Sequence, residues 1–262
     1  MEILCHYTKD ETAIKILRSM KLRFGKVVNS NDPIEVKNME FFYNGDSEIG
    51  DNIENDIRNY LNNILHLIAF SEGEIEMSEE LIQEGTLHEL KERPAFYLPR
   101  MWAAYGDNHK GICFVFDKKK LILNANKQLK RNYNFIHKTI KYSDFVCDDD
   151  LILMVTTYGI EEEEIRKNGI YKSVQRYLEK NNSNYFIKDN DWKDEREYRF
   201  LCWNKINNKN YQEMEIEIND ALIGVVLGIN NKNKEIIKIA RTEALNNILK
   251  LSFDNLIFIK AL

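Results

Sequence analysis

The chain has 262 residues and a mass of 31.0 kDa, with 44% hydrophobic and 30% charged residues; its 37 Lys and Arg against 42 Asp and Glu leave a net charge of −5 and a pI near 5.7. This balance excludes disordered, collagen-like and membrane classes, and it gives no global electrostatic footprint for nucleic acid, although a local basic patch can hide within it. No stretch reaches the roughly 18 apolar residues of a spanning helix, and Met1 to His6 lacks the basic and apolar regions of a signal peptide, so a cytoplasmic protein with no membrane partner is expected.

Residues Ile3 to Thr8 read as a short strand. Thr8 followed by Glu11 has the spacing of a capping box, and Ala13, Ile14, Leu17 and Met20 carry a helical period behind it. Lys21 to Gly25 reads as a strand, and Asn29-Ser30-Asn31-Asp32-Pro33 as a loop with Glu35 just beyond it. A helix is predicted over about 52–67, running into the apolar stretch Leu67 to Phe70. The segment from Ser71 to Glu92 holds eight glutamates and no aspartate and reads as a solvated helix or insertion. An aromatic stretch from Pro94 leads through the turn Gly106 to Gly111 into the strand Ile112 to Phe116. Further strands are predicted at Thr139 to Tyr142, Glu197 to Trp203, Glu213 to Ile218, Ile223 to Leu227 and Leu256 to Ile259, with helices over 149–180 and 234–249. Strands at both ends of the chain predict an α+β fold. Its core is a single mixed, largely antiparallel sheet drawn from both termini in one domain over 1–262, with helical insertions near 45–95 and 149–182.

The four cysteines, Cys5, Cys113, Cys147 and Cys202, lie singly and far apart, which fits neither a disulfide framework nor a zinc site; no metal is expected. Strand alternation turns His6 and Thr8 toward one space, where His6 is either a core histidine or a residue bonding a ligand hydroxyl. Glu195 and Glu197, two apart at a strand start, share a face with Arg199. Either Arg199 pairs with one of them structurally, or the two carboxylates line a cleft that raises one pKa. Trp102 and Tyr105 are either a core stripe or a stacking wall for a flat ring. His109 and Lys110 sit in a glycine-bounded loop whose amides suit phosphate, although no Walker loop is present.

In this order, the stretches His6-Tyr7-Thr8, Asn31-Asp32-Pro33-Ile34-Glu35, Phe70-Ser71, Met101 to Tyr105 with His109-Lys110-Gly111, and Trp192 to Arg199 resemble the motifs of a large bacterial family of unknown function, which read HYT, NDP-x-E, FS, MW-x-x-Y with HKG, and W-x-x-E-x-E-x-R. More loosely, the arrangement looks like the ADP-ribosyltransferase superfamily. That resemblance implies NAD as substrate, His6 and Thr8 holding the adenosine ribose, Trp102 or Tyr105 stacking on nicotinamide, and Glu197 as the catalytic carboxylate, with Glu195 orienting or deprotonating the acceptor. Cleaving the nicotinamide–ribose bond passes through an oxocarbenium-like state that a carboxylate stabilises without a metal. The resemblance further implies a bacterial toxin or phage-defence effector, or an NAD glycohydrolase. His6, Trp102 or Tyr105, and Glu197 are then expected in one pocket. Tyr7, Thr8, Asn31, Asp32, Glu35, Ser71, His109, Lys110, Trp192 and Arg199 are expected as its binding residues. The alternative is a non-catalytic nucleotide-sensing or protein-interaction module. A nucleotide-like small molecule is the expected partner in both cases, the acceptor is open, and nucleic acid is disfavoured by the charge balance.

Overall fold

The computed structural model describes residues 1–30, 42–44, 47–75, 93–144, 159–205, 214–239, 248–253 and 256–261. In chain order the strands are β1 (Glu2–Thr8), β2 (Lys21–Arg23), β3 (Gly25–Lys26), β4 (Phe42–Asn44), β5 (His66–Glu74), β6 (Ile112–Asp117), β7 (Tyr133–Thr139), β8 (Lys141–Ser143), β9 (Gly159–Glu161), β10 (Ile187–Asp189), β11 (Glu197–Asn204), β12 (Glu215–Glu217), β13 (Leu222–Leu227), β14 (Ile248–Phe253) and β15 (Leu256–Ala261). The α-helices are α1 (Asp10–Ser19), α2 (Ser47–Ile64), α3 (Pro99–Ala104), α4 (Lys118–Leu129), α5 (Glu162–Asn181) and α6 (Lys234–Ile239).

The main sheet runs β14-β15-β13-β6-β1-β5-β11-β7, with β3 taking over from β1 along one edge of β5. All of its ladders are antiparallel. Parallel pairing occurs only in the small sheets β8–β10 and β4–β9 among the described residues. The fold is therefore α+β, with one large sheet that takes strands from both ends of the chain.

The first face of the sheet packs Leu4, Phe70, Phe114, Tyr198 and Phe200 against α1 and α4. The second face carries two apolar clusters. One joins Ile3, Cys5, Tyr7, Cys113 and Val226 to Met101 and Trp102 of α3, and the other joins Leu201 and Trp203 to α2 and α5. This two-sided burial explains why β6 reads as a nearly continuous apolar run and β11 as one from Phe200 to Trp203.

Several boundaries differ from the sequence reading for identifiable reasons. The Thr8–Glu11 capping box is absent: Thr8 finishes β1, α1 begins at Asp10, and Lys9 makes no side-chain cap bond. Ser71 to Glu74 extends β5 and is no part of a solvated helix, because its backbone bonds to β1. The predicted strand Thr139 to Tyr142 is instead split between β7 and β8. The helix α4 was missed, although Asp117 accepts a bond from the Lys120 amide as its N-cap, and Leu121, Ala125 and Leu129 recur every fourth residue on its buried side. The predicted 234–249 helix is described only as α6, and Ile248–Phe253 pairs with β15 as a strand.

Candidate functional site

A buried charge cluster lies on the second face, in the seam between the α3 cluster and the α2–α5 cluster. It is assembled from the end of a 3₁₀ turn over Asn190–Glu195, from β10 and from the start of β11. The Lys188 ammonium donates to Glu195 Oε2 at 2.8 Å and to Glu197 Oε2 at 3.0 Å. Arg199 Nε donates to Glu197 Oε1 at 2.6 Å, and its Nη1 to the Tyr185 carbonyl at 2.7 Å. The Tyr105 hydroxyl donates to Glu195 Oε1 at 2.9 Å, which seats the C-terminus of α3 on the cluster. Glu195, Glu197 and Arg199 are each no more than 3% exposed.

Two carboxylates and two cations make the cluster neutral, which is the condition under which burying four charges is tolerable. Burial alone would push the Glu197 carboxyl up, but the Arg199 and Lys188 charges and their hydrogen bonds outweigh it and hold that carboxyl below its usual range. Tyr105 is pushed up, first by burial and then by the neighbouring Glu195 carboxylate. Tyr142, whose hydroxyl accepts the Glu197 amide at 2.7 Å, is pushed up to about 12, mainly by burial.

Both carboxylates share this site, but not through strand alternation. Glu195 precedes β11, Arg196 adopts a left-handed conformation (φ 48°), and Lys188 is what joins the two carboxylates. Of the two readings of the Glu pair, the structural pairing of Arg199 with Glu197 is the one observed. Lys188 and Tyr142 were missed, and no local pattern in the sequence marks either of them. Trp192 sits half-buried at the rim, its ring centroid 4.8 Å from Lys188 Nζ and 5.1 Å from Arg100 Cζ.

The expected pocket uniting His6 with Glu197 does not form. Cys5, Ser71 and Glu197 are direct cross-strand neighbours on the second face, so His6 points to the first. There its ring meets Phe70 edge-on, Nδ1 lies 3.1 Å from the Ala69 carbonyl, and burial lowers its pKa. Thr8 shares that face at the end of β1 and is buried. Tyr7 faces the second side, where its hydroxyl donates to the Ala95 carbonyl and accepts the Leu98 amide, and burial raises its pKa well above the usual value. Trp102 is core, 2% exposed, with Nε1 bonded to the Phe96 carbonyl.

His109 stacks on Trp102 with centroids 6.3 Å apart. The loop around it runs left-handed through Asp107, Asn108 and His109. Three of its amides are engaged by nearby carbonyls: His109 bonds that of Trp102, Lys110 that of Asp107, and Gly111 that of Gly106. Ser71 lies fully buried, with no hydrogen-bond partner for its hydroxyl among the described residues. Asn31, Asp32 and Glu35 lie outside the described residues.

Two cavities, of about 640 and 380 Å³, flank α5, and neither is lined by a residue of the cluster. Among the described residues no group of three or more His, Cys, Asp or Glu stands ready for a metal ion, and no helix is long and apolar enough to cross a membrane.

Tyr105, Trp192, Glu195, Glu197 and Arg199 all fall within one stretch of matched sequence. Residues 101–200 match the model of a family described as a protein of unknown function, DUF2971. The matched stretch takes in α3 from Met101 onward, the loop 106–111 and the charge cluster. Comparison with curated proteins and with solved structures gives no match.

Proposed function

We propose that this chain is a recognition module that binds a nucleotide-like ligand at the rim of the charge cluster, beside Trp192, and does not turn it over. The observation that carries this reading is the state of Glu197. Both of its oxygens are held by cations on a carboxylate 3% exposed, which leaves neither free to reach a ribose hydroxyl. His6, the residue that would hold the adenosine ribose, lies across the sheet. The half-buried indole of Trp192, with the Arg100 guanidinium over its ring, supplies a flat surface and a positive charge, which suit a base and a phosphate.

ADP-ribosyl transfer from NAD, in a toxin or defence effector, is the second reading, and two observations favour it. Arg199 and Lys188 keep Glu197 ionised, the state in which it would stabilise an oxocarbenium-like centre. The unpartnered Ser71 hydroxyl is its direct cross-strand neighbour.

Incubation with adenine-labelled NAD, with and without cell extract, separates the two. Recognition requires reversible calorimetric binding of NAD, ADP-ribose or ATP, weakened in Trp192→Ala, with no release of nicotinamide. Nicotinamide release that falls about a hundredfold or more in folded Glu197→Gln protein moves the assignment to the transferase. A protein that neither binds nor consumes any of the three nucleotides refutes both.

A further inference from the structure

The chain is acidic overall, yet residues 118–143 contain seven lysines, one arginine and no acidic residue. The fold turns this bias into a surface. On α4, Leu121, Ala125 and Leu129 face the core, so the opposite side of the helix is open to solvent. Lys119, Leu123, Lys127 and Arg131 recur every four residues along that side, with Lys120 and Lys130 beside them. All six are exposed, Leu123 at 52%. None of the five cations has an acidic partner among the described residues, whereas Lys118, on another side of the helix, pairs with Glu72 and Glu2.

Folding does not account for this arrangement. Basic residues at the C-terminal end of a helix suit its dipole, which covers Lys127 and Lys130. Lys119 and Lys120 occupy the first turn, where a positive charge opposes the dipole; the Asp117 N-cap supplies an acid there, but its side chain is spent on the Lys120 amide and the turn itself holds no other. Two unpaired lysines kept at an unfavourable position point to a partner outside the chain.

The chain then turns into β7, which ends the main sheet. Tyr133, Phe135 and His137 alternate along β7 as half-buried rings, Phe135 and His137 with centroids 5.5 Å apart, and the exposed Lys138 follows. Cations next to a row of accessible rings are the combination that holds a single nucleic-acid strand, phosphates on the lysines and bases on the rings. We propose that α4 and the edge strand β7 form a binding surface for single-stranded nucleic acid. A membrane fits this surface less well, because Leu123 is the one large apolar side chain on the exposed side of α4 and an interfacial helix needs an apolar face. The surface is separate from the charge cluster, and the inference does not rest on the function proposed for that cluster.

The test is fluorescence anisotropy of labelled oligouridylate with the full chain across a salt series. With about five phosphate contacts, the slope of log K against log salt should be about −3 to −4. Lys119→Glu with Lys120→Glu should weaken binding about tenfold or more, while the melting temperature holds or rises because acids suit the first turn of a helix. Tyr133→Ser should weaken binding without changing the salt slope, since a ring contributes stacking and no counterion release. The proposal is overturned if the parent does not bind at low salt, if the double variant binds as the parent does, if duplex binds tighter than single strand, or if phosphatidylserine vesicles bind as well at equal salt.

Discussion

Replacing Lys188 by methionine keeps the length and apolar stem of the side chain and removes the charge that joins Glu195 to Glu197. Glu197 retains Arg199 at 2.6 Å, so a single carboxylate, Glu195, is left without a cation and keeps only the Tyr105 hydroxyl. Breaking a buried pair by removing one partner costs about 3–5 kcal/mol, and with one carboxylate stranded the lower half of that range applies. The lost cation–π contact with Trp192 adds about 0.5–1 kcal/mol. A loss near 4 kcal/mol lowers the urea midpoint by somewhat over 1 M if the slope is about 3 kcal/mol per M. The defect is a stranded charge and not a cavity, so Lys188→Met combined with Glu195→Gln should recover about 2 kcal/mol of the loss. The parent itself loses stability in acid. The Glu197 carboxyl is depressed in the folded state, so its contribution is complete above the unfolded value of about 4.3 and disappears as the pH falls through the folded value. A Lys188→Met protein destabilised by less than about 1 kcal/mol, or a double variant less stable than the single one, refutes the view of the cluster as a set of mutually compensating charges.

Three further outcomes follow from the geometry. His6→Ala should leave ligand affinity at the Trp192 rim unchanged in calorimetry, since His6 is on the other face; a tenfold loss would refute the face assignment. Gly228→Ala places a methyl 2.3 Å from the His109 carbonyl oxygen and should cost about 1–3 kcal/mol in urea unfolding, with faster amide exchange in the loop 106–111; parental stability would show that the loop yields freely. Asp117→Ala removes the bond to the Lys120 amide and should cost about 1 kcal/mol, measured by thermal unfolding.

What the sequence made legible is local. The strand at β1, the helix α1 and the apolar runs of β6 and β11 each carry their own period, and each forms close to where that period places it. Alternation in β1 correctly separates His6 from Cys5, and in β11 it separates Tyr198 from Glu197 and Arg199. Which side of β1 matches which side of β11 is set by the register Cys5–Ser71–Glu197, and that depends on a strand more than sixty residues from either end of the comparison. His6 and Glu197 could therefore be placed together on paper and still fold to opposite faces. Lys188 was invisible for a related reason. A lysine between Ile187 and Asp189 looks like any surface lysine until β10 and the 3₁₀ turn bring it between two carboxylates. Position 8 misled in the other direction: the Thr8–Glu11 spacing is that of a cap, but the ladder with Ile112 claims Thr8 for the sheet.

The place of β1 in the strand order has a consequence for the order of assembly. Among the described residues, the strands β14, β15, β13 and β6 connect in the sheet to β5, β11 and β7 only through residues 2–8. This segment cannot find its first neighbour until residues 66–74 have been made, nor its second until residues 112–117 have followed, so one of its edges waits unpaired while more than a hundred residues emerge. Removing it would leave two half-sheets, each with a newly bared inner border of backbone donors and acceptors on β5 and β6, and such borders recruit other chains. Supplied in trans as a peptide, the same seven residues would be the natural piece with which to rejoin the halves.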